Sequence, residues 1–181
     1  MDLTEKTLDG EYKYKGRIIK LRVDSVELPN GNVSTREVIE HNGGVGVAAL
    51  TDKNEVLLVK QFRYPYKEVL YEIPAGKRDG NEDPLVCGKR ELKEETGASA
   101  AEYLPLGKLY PSPGYCGETI WMFAAKGLTY GTDNPDDDEF IECERIPLEI
   151  AVEMIMNGEI ADSKTQAAIL KLKLLHDSGK F

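Results

Sequence analysis

The sequence has few histidines and cysteines. His41 and His176 are its two histidines, and neither has partner residues at a spacing that supports a serine or cysteine triad. Cys87, Cys116 and Cys143 show no CxxC spacing, so reduced thiols are favoured over a disulfide framework or a zinc site. The sequence therefore gives no support to triad hydrolases, disulfide scaffolds or zinc proteins.

Long apolar runs are also missing. No run approaches the roughly 18 to 20 residues that a membrane-spanning helix needs, and the segment from Met1 to Arg17 lacks the hydrophobic region of a signal peptide. We therefore expect a cytoplasmic protein. With 41% hydrophobic and 30% charged residues, the composition is that of an ordinary globular protein. A chain of 181 residues is long enough for one compact catalytic domain with a short appended segment.

Basic residues are the minority among the charged ones. The chain has 23 lysines and arginines, 32 acidic residues and a formal net charge of -9. Duplex nucleic acid is bound largely through Lys and Arg contacts with phosphates, so this balance argues against a nucleic-acid partner. A small phosphorylated substrate is compatible with it, because arginines or bound metal ions reverse the local field inside one cleft.

Two N-terminal segments, residues 17–27 and 33–40, are rich in β-branched residues and flank the turn signal Pro29-Asn30-Gly31. This pattern predicts a small β-hairpin element over residues 1–42. Because about 40 residues rarely bury a core alone, we expect this element to dock on the main domain or on a second subunit. A homodimer is the simpler arrangement.

The remaining residues, 43–181, alternate short apolar runs with polar turns. These runs predict strands of a mixed sheet at 45–50, 56–62, 69–73, 104–110, 119–124 and 140–146. Gly44-Val45-Gly46 resembles part of a dinucleotide-binding fingerprint, but that motif requires a helix directly after it. A second strand pattern follows instead, which argues against a Rossmann fold.

Three helices are predicted in the same part of the chain. The first begins at Asp83 and Pro84, an N-cap acceptor followed by proline, and ends at Gly97. The second spans residues 148–156, and the third starts from a capping box at Ser163. The predicted elements therefore indicate a sheet combined with helices.

Glutamates fan toward one edge of the first helix. Glu91 and Glu95 are one turn apart beside the apolar stripe, and Glu94 is adjacent to them. Like charges at this spacing repel by a few tenths of a kcal/mol per pair, and a bound divalent cation converts that repulsion into attraction. Helix geometry alone also permits a solvated acidic face paired with neighbouring basic residues.

The segment from Gly76 to Ala98 resembles the Nudix box. The pattern is filled without a gap by Gly76, Glu82, Arg90, Glu91, Leu92, Glu94, Glu95, Gly97 and Ala98. For its fixed identities, a chance match at a given start is on the order of 10⁻⁸. The resemblance covers the chain from about residue 43 onward. It implies an α+β fold, the Nudix α/β/α sandwich with a mixed β-sheet between helices, to which the small N-terminal β element is added.

Segments beside the box resemble the ADP-ribose pyrophosphatase branch of this family. They are Lys60-Gln61-Phe62-Arg63, Glu72-Ile73-Pro74-Ala75-Gly76 and the stretch from Ser112 to Glu118, in which Pro113 occupies the position of a proline typical of that branch. The resemblance implies cleavage of ADP-ribose, or a related ADP-sugar, to AMP and ribose 5-phosphate.

Other functions remain open. Tyr115 lies near the position of a tyrosine in dinucleoside polyphosphate hydrolases, and GDP-mannose or a nucleoside triphosphate are further alternatives within the family. A different class is a non-catalytic ADP-ribose-binding module built on the same fold. Its signature would be lost box glutamates and an attached DNA-binding domain, and neither is present.

The resemblance implies Mg²⁺ or Mn²⁺ as the cofactor, because hard cations prefer oxygen ligands. Glu91, Glu95 and the Ala75 carbonyl are the expected ligands. Glu82 precedes the helix, where it either reaches the metal cluster through water or stabilises the helix N-terminus.

Catalytic roles are implied for four further residues. Arg90 is expected to orient a glutamate through a charge-assisted hydrogen bond, and Glu94 to serve as an additional ligand or as support for the ligands. In this branch a glutamate from a later loop activates water. Glu139, where an acidic run meets a strand, is the predicted base, and Glu142 is the alternative.

The predicted substrate contacts lie outside the helix. Arg36 and Arg63 are candidates for the phosphates and Glu118 for the terminal ribose hydroxyls, and Glu72 is assigned to the substrate site. Tyr14 is a candidate for stacking on adenine, with packing in a core or subunit interface as the alternative role.

Overall fold

The computed structural model describes residues 2–131 and 140–181, which divide into two compact units. The first unit contains residues 2–43 and Tyr110–Thr119. The second contains the described residues of Gly44–Leu109 and Ile120–Phe181. Among all described residues, no helix is both long and apolar enough to cross a membrane.

The first unit is built on a three-stranded antiparallel sheet. Its strands are, in order, β1 (Lys6–Lys15), β2 (Lys20–Glu27) and β3 (Val33–Glu40). The predicted hairpin of β2 and β3 is confirmed, and its turn is closed by the Gly31 N–H, which donates to the Leu28 carbonyl at 2.8 Å. Strand β1 was not predicted, although tyrosines alternate with charged residues over its positions 11–15; all its residues are exposed, so it buries no apolar face.

The second unit contains two sheets. The first is antiparallel, in the order β10–β5–β6, and its strands are β5 (Glu55–Arg63), β6 (Glu68–Glu72) and β10 (Glu142–Pro147). The second is mixed, in the order β7–β4–β9–β8, and its strands are β4 (Gly44–Ala49), β7 (Ala75–Lys77), β8 (Ala98–Leu109) and β9 (Ile120–Tyr130). Strands β4 and β9 pair in parallel, and the other pairs are antiparallel.

Three helices complete the second unit, namely α1 (Pro84–Thr96), α2 (Leu148–Met156) and α3 (Ser163–Asp177). Helix α1 begins and ends at the predicted residues. The Asp83 carboxylate caps its first N–H groups, and Gly97 takes the left-handed conformation that favours glycine, with φ 67°. The capping box predicted at Ser163 is wrong, because the cap is Asp162, whose carboxylate accepts the Thr165 N–H at 2.9 Å.

The core of the second unit consists of two apolar clusters. Successive side chains of β4 belong to different clusters, Val45 and Val47 to the one that includes α1 and Ala48 to the one that includes α2 and α3. Because side chains alternate between the two faces of a sheet, helices cover both faces. The predicted α+β architecture, a mixed sheet between helices, is confirmed.

Candidate active site

Strand β7 and helix α1 bring two carboxylates against one stretch of backbone. Glu91 and Glu95 are buried, with 8% and 6% of their surface exposed. The Ala75 N–H donates to Glu95 Oε2 at 3.0 Å. A Cβ atom on Gly76 would overlap the Glu91 carboxylate, so glycine is what permits this close approach.

Arg90, on the same helix, contacts three carboxylates, two of them on α1 and one on the residue Glu82 that precedes it. Its Nη1 donates to Glu91 Oε1 at 2.8 Å and to Glu94 Oε2 at 2.9 Å, and its Nη2 donates to Glu82 Oε2 at 3.1 Å. The hydrogen bonds from Arg90 lower the pKa of Glu82 to about 2, and they raise the pKa of Arg90 above its ordinary value. We call Glu82, Arg90, Glu91 and Glu94 the Arg90 cluster.

The loop between β7 and α1 is held by a second arginine that sequence reasoning missed. Arg78 donates from Nε and Nη2 to the Glu82 carbonyl at 2.8 and 2.5 Å, and its guanidinium lies 4.6 Å from the centre of the Trp121 ring. Cys87 is buried beside this loop. Its burial, with the charges of Glu82 and Glu91, raises the thiol pKa to about 12, so this cysteine stays protonated near neutral pH.

The donor atoms at β7 and α1 fit a hard divalent cation. Among residues 2–131 and 140–181, no three His, Cys, Asp or Glu side chains form a group that could hold a metal ion. Mg²⁺ does not require such a cage, since it is usually bound by one or two carboxylates together with water and substrate phosphates. Glu91, Glu95 and the Ala75 carbonyl offer this set of oxygen atoms.

A second charged cluster surrounds Glu72 at the end of β6. Glu72 is 2% exposed and accepts Arg63 Nε at 2.6 Å and Arg63 Nη2 at 2.7 Å. It also accepts a hydrogen bond from Lys164, whose Nζ lies 3.1 Å from Asp162. Burial opposes ionisation of Glu72, but the hydrogen bonds and charges of Arg63 and Lys164 outweigh it and lower the pKa to about 2. Arg63, Glu72, Asp162 and Lys164 form what we call the Glu72 cluster.

The structure therefore brings two predicted substrate residues, Arg63 and Glu72, into direct contact with each other. Sequence reasoning missed Asp162 and Lys164. The Asp-x-Lys spacing at the start of α3 was the available signal, but lysines at helix starts are common on exposed surfaces.

The other predicted substrate residues lie in the first unit. Arg36, on β3, donates from Nε to Glu5 at 2.9 Å. Glu118 Oε1 lies 3.3 Å from Nδ1 of His41. Tyr14, on β1, is 57% exposed, so its ring is available to a ligand or partner.

The structure describes only one of the two candidate bases. Glu139 lies outside the described residues. Glu142 is exposed at the start of β10, opposite Lys60 of β5. The assignment of the base therefore stays a prediction.

Comparisons with known proteins agree with this geometry. Residues 40–167 match the family described as NUDIX domain. Residues 5–39 match the family described as nucleoside diphosphate sugar hydrolase N-terminal domain.

Three relatives illustrate the similarity. The ADP-ribose pyrophosphatase of Bacillus subtilis (strain 168) is 41% identical, over 95% of this chain and 94% of that protein. The methanol dehydrogenase activator of Bacillus methanolicus is 42% identical, over 94% of this chain and 93% of that protein. The GDP-mannose pyrophosphatase of Enterobacter sp. (strain 638) is 36% identical, over 83% of each.

A solved structure supports the fold independently. The crystal structure of an ADP compounds hydrolase superposes with a TM-score of 0.86 over 100% of both chains, at 20% sequence identity. The resemblance inferred from the box is thus confirmed. Since the NUDIX match covers most of the chain, and relatives at 41% and 42% identity span nearly all of it, the chain belongs to the Nudix hydrolase family.

Proposed function

We propose that the chain is a metal-dependent pyrophosphohydrolase that cleaves ADP-ribose to AMP and ribose 5-phosphate. The observation that supports this substrate most directly is the similarity, along nearly the whole chain, to the Bacillus subtilis ADP-ribose pyrophosphatase. The buried pair Glu91 and Glu95 supports the hydrolytic chemistry, because an intact box with enclosed carboxylates is what such an enzyme requires.

Nudix hydrolases generally need a divalent metal ion, and we assign Mg²⁺ or Mn²⁺ to Glu91, Glu95 and the Ala75 carbonyl. When bound, such an ion neutralises phosphate charge and acidifies water. The Ala75 N–H fixes the Glu95 carboxylate, and Gly76 leaves room for Glu91. Arg90 holds Glu91 in place and limits the repulsion among the helix glutamates.

Glu82 and Glu94 act through Arg90. Both accept hydrogen bonds from its guanidinium, so that the Arg90 side chain is fixed from two sides while it contacts Glu91. Glu82 also accepts the Asp79 N–H at 3.3 Å, which ties the preceding loop to the same arginine. We assign both glutamates to positioning; direct contact with the metal remains the alternative for each.

The substrate contacts are assigned to the charged and aromatic side chains predicted from the sequence. Arg63, oriented by Glu72, contacts the diphosphate, and Arg36 is the second phosphate contact. Glu118 accepts hydrogen bonds from ribose hydroxyls, and Tyr14 stacks on adenine. A carboxylate from the loop before β10 accepts the proton of the attacking water, with Glu139 preferred over Glu142.

We further propose that the domain of residues 43–181 carries the chemistry and that the protein is cytoplasmic. We also propose that the chain forms a homodimer through the N-terminal element, residues 1–42. Strand β1 is an edge strand with all its residues exposed. An edge strand presents unpaired backbone groups that a second chain can pair with. Light scattering on the purified chain tests this, and a monomer at micromolar concentration contradicts it.

GDP-mannose is the second candidate substrate, because the similarity to a GDP-mannose pyrophosphatase also extends over most of the chain. The test is product analysis by chromatography after incubation with ADP-ribose, GDP-mannose, a dinucleoside polyphosphate and a nucleoside triphosphate, each with Mg²⁺. We expect ADP-ribose to give AMP and ribose 5-phosphate at the highest rate. A much faster reaction with GDP-mannose or a triphosphate contradicts the proposal.

A further inference from the structure

Lys164 is buried, which is unusual for a lysine. It lies in the first turn of α3 and is 8% exposed. Lysine is almost never fully buried unless it is paired, because removing its charge from water costs several kcal/mol. The burial of Lys164 must therefore be explained by the charged groups that it contacts and not by its position in the helix.

The start of α3 is fastened to the backbone just after Glu72, at the end of β6. The Asp162 carboxylate accepts hydrogen bonds from the N–H and the hydroxyl of Thr165, at 2.9 and 2.5 Å. The Thr165 oxygen in turn accepts the Ile73 N–H at 2.9 Å. These contacts fix Lys164 beside Glu72, and they do so without using the Lys164 charge.

Two cations share the Glu72 carboxylate. Arg63 binds both carboxylate oxygens through Nε and Nη2, and Lys164 binds Oε2. Within the described parts of the chain, Arg63 Nη1 makes no hydrogen bond, and the Arg63 side chain is 38% exposed. A carboxylate that is shared by two cations neutralises each of them less than it would neutralise one.

We propose that Lys164 is a positioning residue for the reaction. Lys164 neutralises part of the Glu72 charge. The Glu72 carboxylate therefore still orients the Arg63 guanidinium, but the positive charge of Arg63 remains available to attract the substrate diphosphate. This inference rests on the proposed function, in which Arg63 contacts the phosphates.

A purely structural role for Lys164 makes a different prediction. If Lys164 only fastens α3 to β6, removing its charge lowers the melting temperature without a specific change in substrate affinity. If Lys164 instead controls how strongly Arg63 attracts phosphate, removing its charge raises KM and the dissociation constant. The size of that increase then depends on the charge of Glu72.

The test measures the dissociation constant of an ADP-ribose analogue with a methylene bridge between the phosphorus atoms, by calorimetry in the presence of EDTA, together with KM and kcat for ADP-ribose. Lys164→Gln keeps a hydrogen-bond donor but removes the charge. It should weaken binding about tenfold and raise KM in parallel, with kcat changed less than about twofold. Lys164→Arg should restore affinity, because it restores the charge.

The matched control is Lys173→Gln, on the same helix. Lys173 pairs with Glu149 at 3.1 Å and with Asp177, away from the Glu72 cluster. This variant should bind the analogue like the wild type.

Asp162→Asn should change the affinity for the analogue in the opposite direction, and it leaves Lys164 in place. Asparagine is as good an N-cap residue as aspartate, so α3 should remain capped. Removing the Asp162 charge directs more of the Lys164 charge to Glu72, and the analogue should therefore bind more tightly than to the wild type. Because the Asp162 charge also acts on Arg63 directly, the gain supports the inference only if Asp162→Asn no longer raises the affinity when it is combined with Lys164→Gln.

The double variant tests whether the effect passes through Glu72. In a Glu72→Gln background, Lys164→Gln should change the dissociation constant less than about twofold. An unchanged constant in the single variant Lys164→Gln, an equal loss in both backgrounds, or weaker binding in Asp162→Asn overturns the inference. If one of these contradicting results is found while the wild type hydrolyses ADP-ribose, only the inference about Lys164 fails and the proposed function stands. A wild type that neither binds nor hydrolyses ADP-ribose overturns both the inference and the proposed function.

Discussion

The Arg90 cluster and the Glu72 cluster differ in their balance of charges, since the first has three carboxylates and one guanidinium and the second has two carboxylates and two cations. One guanidinium contacts three carboxylates in the first, whereas one carboxylate contacts two cations in the second. An excess of carboxylates attracts a divalent cation, and a shared carboxylate leaves an arginine available to phosphate. A pyrophosphate hydrolase needs both kinds of site, because it must bind a metal ion and an anionic substrate together.

The two clusters also differ in burial. The Arg90 side chain is 33% exposed, whereas the Glu72 side chain is 3% exposed. Exposed ion pairs contribute about 0 to 1 kcal/mol, while breaking a buried pair costs about 3 to 5 kcal/mol. Changes at Arg90 should therefore act mainly on chemistry, and changes at Glu72 on both folding and substrate binding.

The largest effect is expected at Glu95, a proposed metal ligand one helical turn from Glu91 of the Arg90 cluster. Glu95→Gln removes a charged oxygen ligand, and the lost transition-state stabilisation of several kcal/mol corresponds to a decrease in kcat/KM of about 10² to 10⁴. Steady-state kinetics with ADP-ribose and Mg²⁺ measure this. Glu153→Gln, an exposed glutamate of α2, is the control and should retain wild-type rates. Full activity of Glu95→Gln at low Mg²⁺ contradicts the ligand role.

Removal of the proposed proton acceptor, Glu139, should have the next largest effect. A general base contributes about 10² to 10⁴ in rate, so Glu139→Gln should lower kcat within that range and leave metal affinity nearly unchanged. Asp136→Asn and Asp137→Asn are the controls, and both should be nearly silent. A large loss only in Glu142→Gln moves the base to that residue. Near-normal rates in all variants mean that no carboxylate of this loop is needed.

The pH dependence of stability tests the buried cluster. The pKa of Glu72 is lowered from 4.5 to about 2, so its contribution to stability is present above pH 4.5 and is lost as the pH falls toward 2. Glu72→Gln lacks this contribution. The difference in free energy of unfolding between wild type and variant should therefore be on the order of 3 kcal/mol near neutral pH and shrink on acidification.

Urea unfolding from pH 7 to pH 3 measures this difference. Glu153→Gln should show a small difference that does not change with pH. A Glu72→Gln difference that stays constant, or grows, as the pH falls means that the Glu72 charge does not stabilise the fold.

The smallest effect is expected when Arg63 is replaced by another cation. Arg63→Lys keeps the charge but loses the planar fork that binds Glu72 through two nitrogens, so KM for ADP-ribose should rise about tenfold. Arg145→Lys, an exposed arginine of β10 that stacks on Tyr130, is the matched control. Equal KM values for the two variants and the wild type remove Arg63 from the phosphate site.

Features encoded by local residues were predictable from the sequence. The limits of α1 follow from Asp83, Pro84 and Gly97, because each acts on the backbone of its own turn. The box spacing likewise predicted that Glu91 and Glu95 share one side of the helix. Their burial against Ala75 was not predictable, since it depends on where β7 lies.

Features that depend on tertiary contacts were missed. Strand β1 has no buried face, and the alternation of tyrosines with charged residues in its sequence is short, spanning only positions 11–15. Lys164 occupies an ordinary position in a helix, and its burial is decided by Glu72, far away in the chain. The cap of α3 was placed one residue late, because Ser163 and Asp162 are both good cap residues and the structure uses Asp162.

The assignment of the metal ion to Glu91, Glu95 and the Ala75 carbonyl is tested most directly by metal binding without substrate. Mn²⁺ is titrated into the wild type, Glu95→Gln and Lys164→Gln, and free Mn²⁺ is followed by electron paramagnetic resonance. We predict saturable binding by the wild type, at least about tenfold weaker binding by Glu95→Gln, and unchanged binding by Lys164→Gln. Equal Mn²⁺ affinity of Glu95→Gln and the wild type would contradict the assignment of the metal to Glu91, Glu95 and Ala75.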